Sequence, residues 1–324
     1  MGHFIDGEWH TGNFRPATGA FKRAPTRFHA HLGDERPAQS GRYHLYVSYA
    51  CPWAHRTLIA RHLKGLQDHI GVSVVSPLMG DDGWDFEPWD DEVGDQLGQR
   101  ERLREVYLEA DPHYTGRVTV PVLWDGNTKD IVNNESAKLL RVLDREFGEL
   151  ADNSIRLCPP ELEAEIDAMN ERVYESVNNG VYKCGFAGSQ DAYDEAVDEL
   201  FDTLDWLEEH LSTHRYLVGD RLTEADIRLY TTLVRFDPVY AFHFRCNKRL
   251  LCSYENLSAY LRELYSIPAF RETTKMDHIR HHYYGSHPSI HPSRILPAGP
   301  IIDLDVPHDR AKLGGLDPMD SLRS

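Results

Sequence analysis

Between Tyr43 and Met79 the chain reads "YHLYVSYACPWAHRTLIARHLKGLQDHIGVSVVSPLM", and this stretch limits the possible fold more than any other. "YHLYVSY" (Tyr43 to Tyr49) alternates aromatic and aliphatic residues as a strand does. From Pro52 to Leu66 apolar residues return near helical spacing, with Gly65 near the end as a stop signal. "IGVSVVSPLM" (Ile70 to Met79) is a β-branched strand. Strand, helix and strand in so short a span make a βαβ unit, for which a right-handed crossover is expected.

Gly80 to Thr115 reads as a polar insertion rich in Asp, Gly and Trp, with a helical piece around "QRERLREVYLEAD". "VTVPVLWD" (Val118 to Asp125) reads as a strand, but Pro121 removes a ladder donor and should lie at an edge or a bend. A second strand, Ile131 to Asn133, follows the hairpin signal "DGNTK", and a helix begins near Glu135. The first half thus runs βαβ, insertion, ββα, which is the order of the thioredoxin fold. Past "DNSIRLCPP" the pattern is helical over about 161–178, 190–212, 223–241 and 255–265. In "RLTEADIRLY", Thr223 can cap a helix, Asp226 can reach back to the cap's amide, and Leu222 and Ile227 can staple the entry. The expected fold class is an α/β thioredoxin-like N-terminal domain followed by an all-α C-terminal domain. The expected boundaries are an extended segment 1–40, the thioredoxin-like domain 41–150, the helical domain 160–287 and a Pro- and Gly-rich tail 288–324.

A net charge of −17, from 52 acidic and 35 basic residues, argues against nucleic acid as the main partner, since phosphate binding needs a basic surface. It reads as a solvated surface that favours solubility, with a high-salt habitat as the second reading. No stretch approaches the about 18 consecutive apolar residues of a membrane span. The opening "MGHFIDGEWHTG" has no apolar signal-peptide core, so a cytoplasmic address is expected. The five cysteines are odd in number and widely spaced, with no CxxC pair, so neither a disulfide framework nor a metal site is expected.

Cys51 alone has a context that argues for chemistry. A thiol at the first turn of a helix faces unpaired amides and the positive end of the helix dipole, which favour thiolate over thiol. Pro52 suits the first helical position because it has no amide to leave unsatisfied. In a CxxC pair the second thiol resolves a mixed disulfide internally. Here Ala54 occupies that place, so an external thiol must do it, and the site is built for monothiol exchange.

"SYACPWAHRTLI", "VTVPVLWD", "NNESAKLLR", "NNGVYKCGFA", "RFDPVY" with "FHFRCN", and "HYYGSH" together resemble the Xi class of glutathione transferases, the glutathionyl-hydroquinone reductases. The resemblance runs in matching order from about Phe4 to Arg310. It implies glutathione as cosubstrate, a glutathionyl-hydroquinone as aromatic substrate, no metal, no membrane and a homodimer. Cys51 matches the nucleophile. Glu135 and Ser136 match the pair that holds the γ-glutamyl end, Pro121 the cis proline that frees the Val120 backbone for the cysteinyl unit, and Trp84 and Arg117 further glutathione contacts. Tyr182, Tyr240 and Tyr284, the last with Tyr283 beside it as the alternative, match tyrosines over the acceptor. Two other readings use the same residues: an Omega-like thioltransferase or dehydroascorbate reductase without the tyrosine pocket, and a non-catalytic glutathione-binding module. A redox-sensor thiol ranks last.

Helix-start placement predicts that the alkylation rate of Cys51 against pH has a midpoint clearly below the roughly 8.5 of a free cysteine. A midpoint at or above that value removes the activation argument.

Overall fold

The structure is a computed structural model that describes residues 2–12, 19–21, 23–90 and 92–323. Its strands are β1 (His3–Ile5), β2 (Glu8–His10), β3 (Tyr43–Val47), β4 (Gly71–Val74), β5 (Val122–Asp125) and β6 (Asp130–Asn133). The helices, in chain order, are α1 (Pro52–Leu63), α2 (Leu103–Ala110), α3 (Ser136–Arg145), α4 (Glu163–Val173), α5 (Gly180–Gly185) and α6 (Gln190–Thr213). They continue with α7 (Glu224–Leu233), α8 (Ala241–His243), α9 (Glu255–Ser266), α10 (Pro268–Thr273), α11 (Met276–Ser286) and α12 (Pro318–Ser321).

Two compact units divide the chain. The first takes residues 1–14, 23–153 and 273–286, and the second takes 15–22, 154–272 and 287–324. Neither is one contiguous run. Helix α11, counted with the helical domain when the sequence is read linearly, falls in the first unit.

The first unit is built on a four-stranded sheet in the order β4-β3-β5-β6. β3 and β4 are parallel, as a βαβ unit demands, and β3–β5 and β5–β6 are antiparallel. All five residues of β3 are buried, which is what a central strand covered on both faces requires. α1 and α3 pack together, and Lys64 at the end of α1 forms a fully buried ion pair with Asp144 at 3.2 Å. The strand read over Val118–Asp125 begins only at Val122. Pro121 therefore stands just outside the ladder, where its missing N–H costs nothing.

Residues 1–40, read from sequence as extended, carry two features that were not foreseen. β1 and β2 form an antiparallel hairpin whose turn is Asp6-Gly7, both with positive φ (48° and 79°). That geometry is the one in which an Asp-Gly dipeptide is favoured, so the signal was present in "IDGEW". Residues 28–30 then run along the edge of β6, with Ala30 N–H to Val132 O at 2.9 Å and Asn134 N–H to Phe28 O at 3.1 Å. The exposed ladder edge of β6 is thereby covered.

The second unit is helical. Its four long runs match the expected spans, but two of them are broken by wide π turns, at Tyr174–Asn178 and Phe236–Tyr240. Beyond Ser266, the short helix α10 was not read from the sequence; nor was α11 of the first unit. Thr223 and Asp226 form the expected capping box at α7, with Leu222 and Ile227 fully buried beside it. Asp226 does more than cap. Its carboxylate also accepts from Leu217 N–H (3.0 Å) and the Tyr260 hydroxyl (2.6 Å). Burial pushes its pKa up while these bonds pull it down, with burial the larger effect.

Asp226→Ala strands the buried donors of Leu217, Thr223 and Tyr260 together. The expected loss is on the order of 3 kcal/mol or more, since each orphaned buried donor costs about 1–3 kcal/mol. Urea unfolding followed by far-ultraviolet circular dichroism measures it. A change below about 1 kcal/mol shows that water or side-chain rearrangement re-satisfies the donors.

Candidate active site

In the first unit the chain leaves β3 through a turn fixed by Ser48. The Ala50 amide donates to the Ser48 Oγ (3.2 Å) and the Cys51 amide to the Ser48 carbonyl (3.1 Å). Cys51 is the N-cap of α1, Pro52 is the first helical residue, and His55 N–H closes the first turn on the Cys51 carbonyl at 3.0 Å. The thiol is half-buried, and its Sγ lies 3.6 Å from the Val120 carbonyl oxygen. The Val120–Pro121 peptide is cis. Thiol, Val120 and Pro121 thus stand together.

Glu135 is the N-cap of α3. One carboxylate oxygen accepts from Ala137 N–H (3.3 Å) and the other from the Thr26 hydroxyl (3.1 Å). Ser136 is buried, with its Oγ 3.4 Å from Arg56 Nη1. A helix start that presents a hydroxyl and amides suits a carboxylate, and the capping carboxylate beside it keeps lone pairs for an ammonium.

Trp84 is buried, stacked on His282 of α11 with ring centroids 4.8 Å apart. This packing against α11 accounts for a tryptophan in a polar insertion that sequence alone left without a structural reason. Arg117 is exposed as a residue, and among the described residues no carboxylate forms an ion pair with it. Burial of its guanidinium and, second, the nearby positive charge of Arg23 lower its pKa. Tyr283 and Tyr284 are both buried in α11, and burial raises the pKa of Tyr284 while Arg280 opposes it. Tyr284 thus falls in the same unit as Cys51, whereas Tyr182 and Tyr240 fall in the other.

In the second unit Tyr182 and Tyr240 have ring centroids 6.1 Å apart. Phe244 touches both, at 5.3 Å from Tyr182 and 5.4 Å from Tyr240. Each tyrosine follows or ends a π turn: Asn179 N–H bonds Tyr174 O at 2.8 Å, and Tyr240 N–H bonds Arg235 O at 3.1 Å. One extra residue in a turn rotates the side chains that follow by roughly 100°. Tertiary bonds accompany these turns. Asn178 donates to Arg228 O (3.0 Å) and Thr232 Oγ1 (2.8 Å), and Asp237 accepts from the amides of Leu251 (2.6 Å) and Cys252 (2.8 Å). Phe21, absent from the sequence-based set, stacks on Tyr182 at 6.3 Å and on Phe186 at 5.6 Å. It lies 161 positions before Tyr182, and no local pattern announces such a pairing. Among the described residues no group of three or more His, Cys, Asp or Glu side chains is arranged to hold a metal ion.

Residues 50–146 match the family described as the glutathione S-transferase N-terminal domain, and residues 190–263 match the C-terminal domain. The glutathionyl-hydroquinone reductase YqjG of Escherichia coli is 51% identical, over 96% of this chain and 98% of its own. PcpF of Sphingobium chlorophenolicum, also named a glutathionyl-hydroquinone reductase, is 50% identical over 93% and 96%. Among solved structures, the Xi-class transferase of Natrialba magadii superposes with a TM-score of 0.91 at 48% identity, covering 98% of each chain. The chain belongs to the Xi-class glutathione transferases. The glutathione-bound structure of YqjG also aligns with this Xi-class chain, at a TM-score of 0.86 and 52% identity over 95% of this chain and 99% of that one. The thioredoxin-like and all-α organisation read from the strand and helix order is that of this class.

Glu135 has two readings, the ammonium partner that the resemblance implies and a plain helix cap. Glu135→Gln keeps a helix cap and removes the charge that the resemblance assigns to an ammonium. The KM for glutathione should rise about tenfold or more with a smaller change in kcat, as loss of a charged hydrogen-bond partner implies. An unchanged KM assigns Glu135 to helix capping alone.

Proposed function

We propose that this Xi-class enzyme reduces glutathionyl-hydroquinones to hydroquinones with glutathione, through a mixed disulfide on Cys51. The observation that carries the reading is a single thiol at the start of α1, beside the cis Val120–Pro121 peptide, in a chain about half identical to two glutathionyl-hydroquinone reductases over nearly its whole length.

The Cys51 thiolate attacks the sulfur of the substrate. The sulfur–carbon bond breaks, its electron pair stays with the ring carbon, and glutathione remains on Cys51 as a disulfide. A bare aryl carbanion is a poor leaving group. In a keto tautomer of the ring the departing pair is delocalised onto oxygen as an enolate, which a tyrosine hydroxyl stabilises by hydrogen bonding, and the ring carbon gains a proton. Tyr182, Tyr240 and Tyr284 are assigned this role. A second glutathione thiolate then attacks the mixed disulfide and leaves as oxidised glutathione, regenerating Cys51. Ala54 stands where a resolving cysteine would be, which makes the second glutathione necessary.

The enzyme is further proposed to be a cytoplasmic homodimer. Ile295, Ile301 and Val306 of the tail are exposed, as apolar side chains that meet a second subunit would be. Among the described residues no helix is long and apolar enough to cross a membrane. Light scattering should give about twice the monomer mass; a stable, active monomer overturns the dimer.

Cys51→Ala should abolish reduction of a glutathionyl-hydroquinone, and activity retained within about tenfold sinks the mechanism. The tyrosines separate this chemistry from simple thiol transfer. Tyr→Phe at 182, 240 or 284 should lower quinol-forming activity by as much as ~10²-fold. Reduction of a glutathione mixed disulfide, which needs no enolate, should change little. If both activities fall together, the tyrosines pack the site; if neither falls in the triple variant, the hydroquinone assignment falls.

A further inference from the structure

The insertion between β4 and β5 carries α2, and Tyr107 of that helix is fully buried. Its hydroxyl donates to the Thr119 carbonyl (2.8 Å) and accepts from the Thr119 amide (3.2 Å) and the Asn134 side-chain amide (3.2 Å). A phenol has one proton to give and two lone pairs to fill, and these bonds use all three. Both partners stand one residue before a part of the site. Thr119 precedes Val120, whose carbonyl oxygen lies 3.6 Å from the Cys51 Sγ. Asn134 precedes Glu135, the N-cap of α3, and is held from its other side by Phe28, whose amide donates to the Asn134 Oδ1 at 3.2 Å. Sheet pairing alone leaves the spacing of these segments open. β5 begins at Val122 and β6 ends at Asn133, so Thr119, Val120, Asn134 and Glu135 all lie past the end of the ladder. There the Tyr107 hydroxyl bridges the two chains.

We propose that Tyr107 is a positioning residue for glutathione. Its hydroxyl sets the distance between the Val120 backbone and the Glu135 carboxylate, so that the cysteinyl and γ-glutamyl units of one tripeptide meet both at once. The proposal rests on the reading of glutathione as the thiol and of these two residues as its contacts. Being fully buried, Tyr107 acts through its neighbours rather than on the ligand. A ligand that spans two receptors gains from both contacts only when their separation is set before it arrives, because otherwise binding must also order the protein. A tyrosine suits such a joint. Its ring is locked edge-on to Phe28, with centroids 6.0 Å apart, and against Tyr114 at 5.0 Å, so the hydroxyl has little freedom. Phenylalanine keeps these ring contacts and removes only the hydroxyl.

Calorimetry with S-methylglutathione, whose sulfur is blocked, reads affinity apart from turnover. Tyr107→Phe should weaken it about tenfold, on the scale of one lost hydrogen-bonded tie. The rate at which iodoacetamide alkylates Cys51, which needs no spacing to Glu135, should stay within about twofold. A cycle with Glu135→Gln separates positioning from plain stability. If Tyr107 acts by holding Glu135 against Val120, the double variant costs clearly less affinity than the sum of the single changes. Asn134→Ala leaves Tyr107 bonded to Thr119 and cuts its tie to the start of α3, so it should weaken S-methylglutathione in the same direction. That variant carries the test if a thermal melt shows that Tyr107→Phe does not fold. A lowered melting temperature with unchanged affinity, additive losses in the cycle, or a Cys51 alkylation rate that falls as far as the affinity overturns the proposal. Failure of the wild-type protein to bind S-methylglutathione overturns the glutathione reading, and the proposal with it. Wild-type binding that Tyr107→Phe and Asn134→Ala both leave unchanged overturns the positioning role alone.

Discussion

The turn from β3 into α1 is the constraint on which the rest depends. A strand buried on both faces must hand the chain to a helix in a few residues, and Ser48 fixes that handover with its hydroxyl and its carbonyl. Cys51 then falls at the N-cap, with its backbone carbonyl closing the first helical turn and its thiol on the Val120 carbonyl. The sheet brings Val120 to the same place, since β5 pairs with β3 and starts directly after Pro121. The nearness of the Cys51 thiol to the Val120 backbone is thus a consequence of sheet order. The thiol is thereby held at the joint of a buried strand and a helix.

The second unit has its own fixed point in Asp226. A buried carboxylate is costly unless its lone pairs are used, and this one accepts from the start of its own helix, from the loop before it and from Tyr260 of α9. Such a group ties three segments together with one side chain. The π turns of this unit are the opposite kind of feature. They break the regular hydrogen-bond ladder, one shortly before Tyr182 and the other ending at Tyr240.

Residues differ in how far their near neighbours in the chain announce them. Cys51, Pro52 and Ala54 are legible because their meaning depends on near neighbours: a strand before, a helix after, a missing second thiol. Glu135 and Ser136 are legible as a helix start for the same reason. Trp84 was legible only through resemblance, because its partner His282 lies nearly two hundred positions away. Phe21 and Arg23 were not legible at all. Their segment has neither helical nor strand periodicity over enough residues to register, and its partners lie on β6, α1 and the second unit's aromatic cluster.

By itself the sequence determined the order of strands and helices, the capping box at Thr223 and the placement of a lone thiol at a helix start. Each of these is a short-range property, fixed by side-chain period, backbone preference or a missing amide. Only the tertiary structure decided that β5 begins after Pro121, that the runs at 161–178 and 223–241 open into π turns, and that α11 belongs to the first unit. It also decided that the N-terminal segment covers β6 and carries Arg23 to Trp53. These outcomes turn on hydrogen bonds and ring contacts between residues far apart in the chain. A buried donor takes whichever acceptor the packed chain brings within reach, and local pattern does not say which one that is.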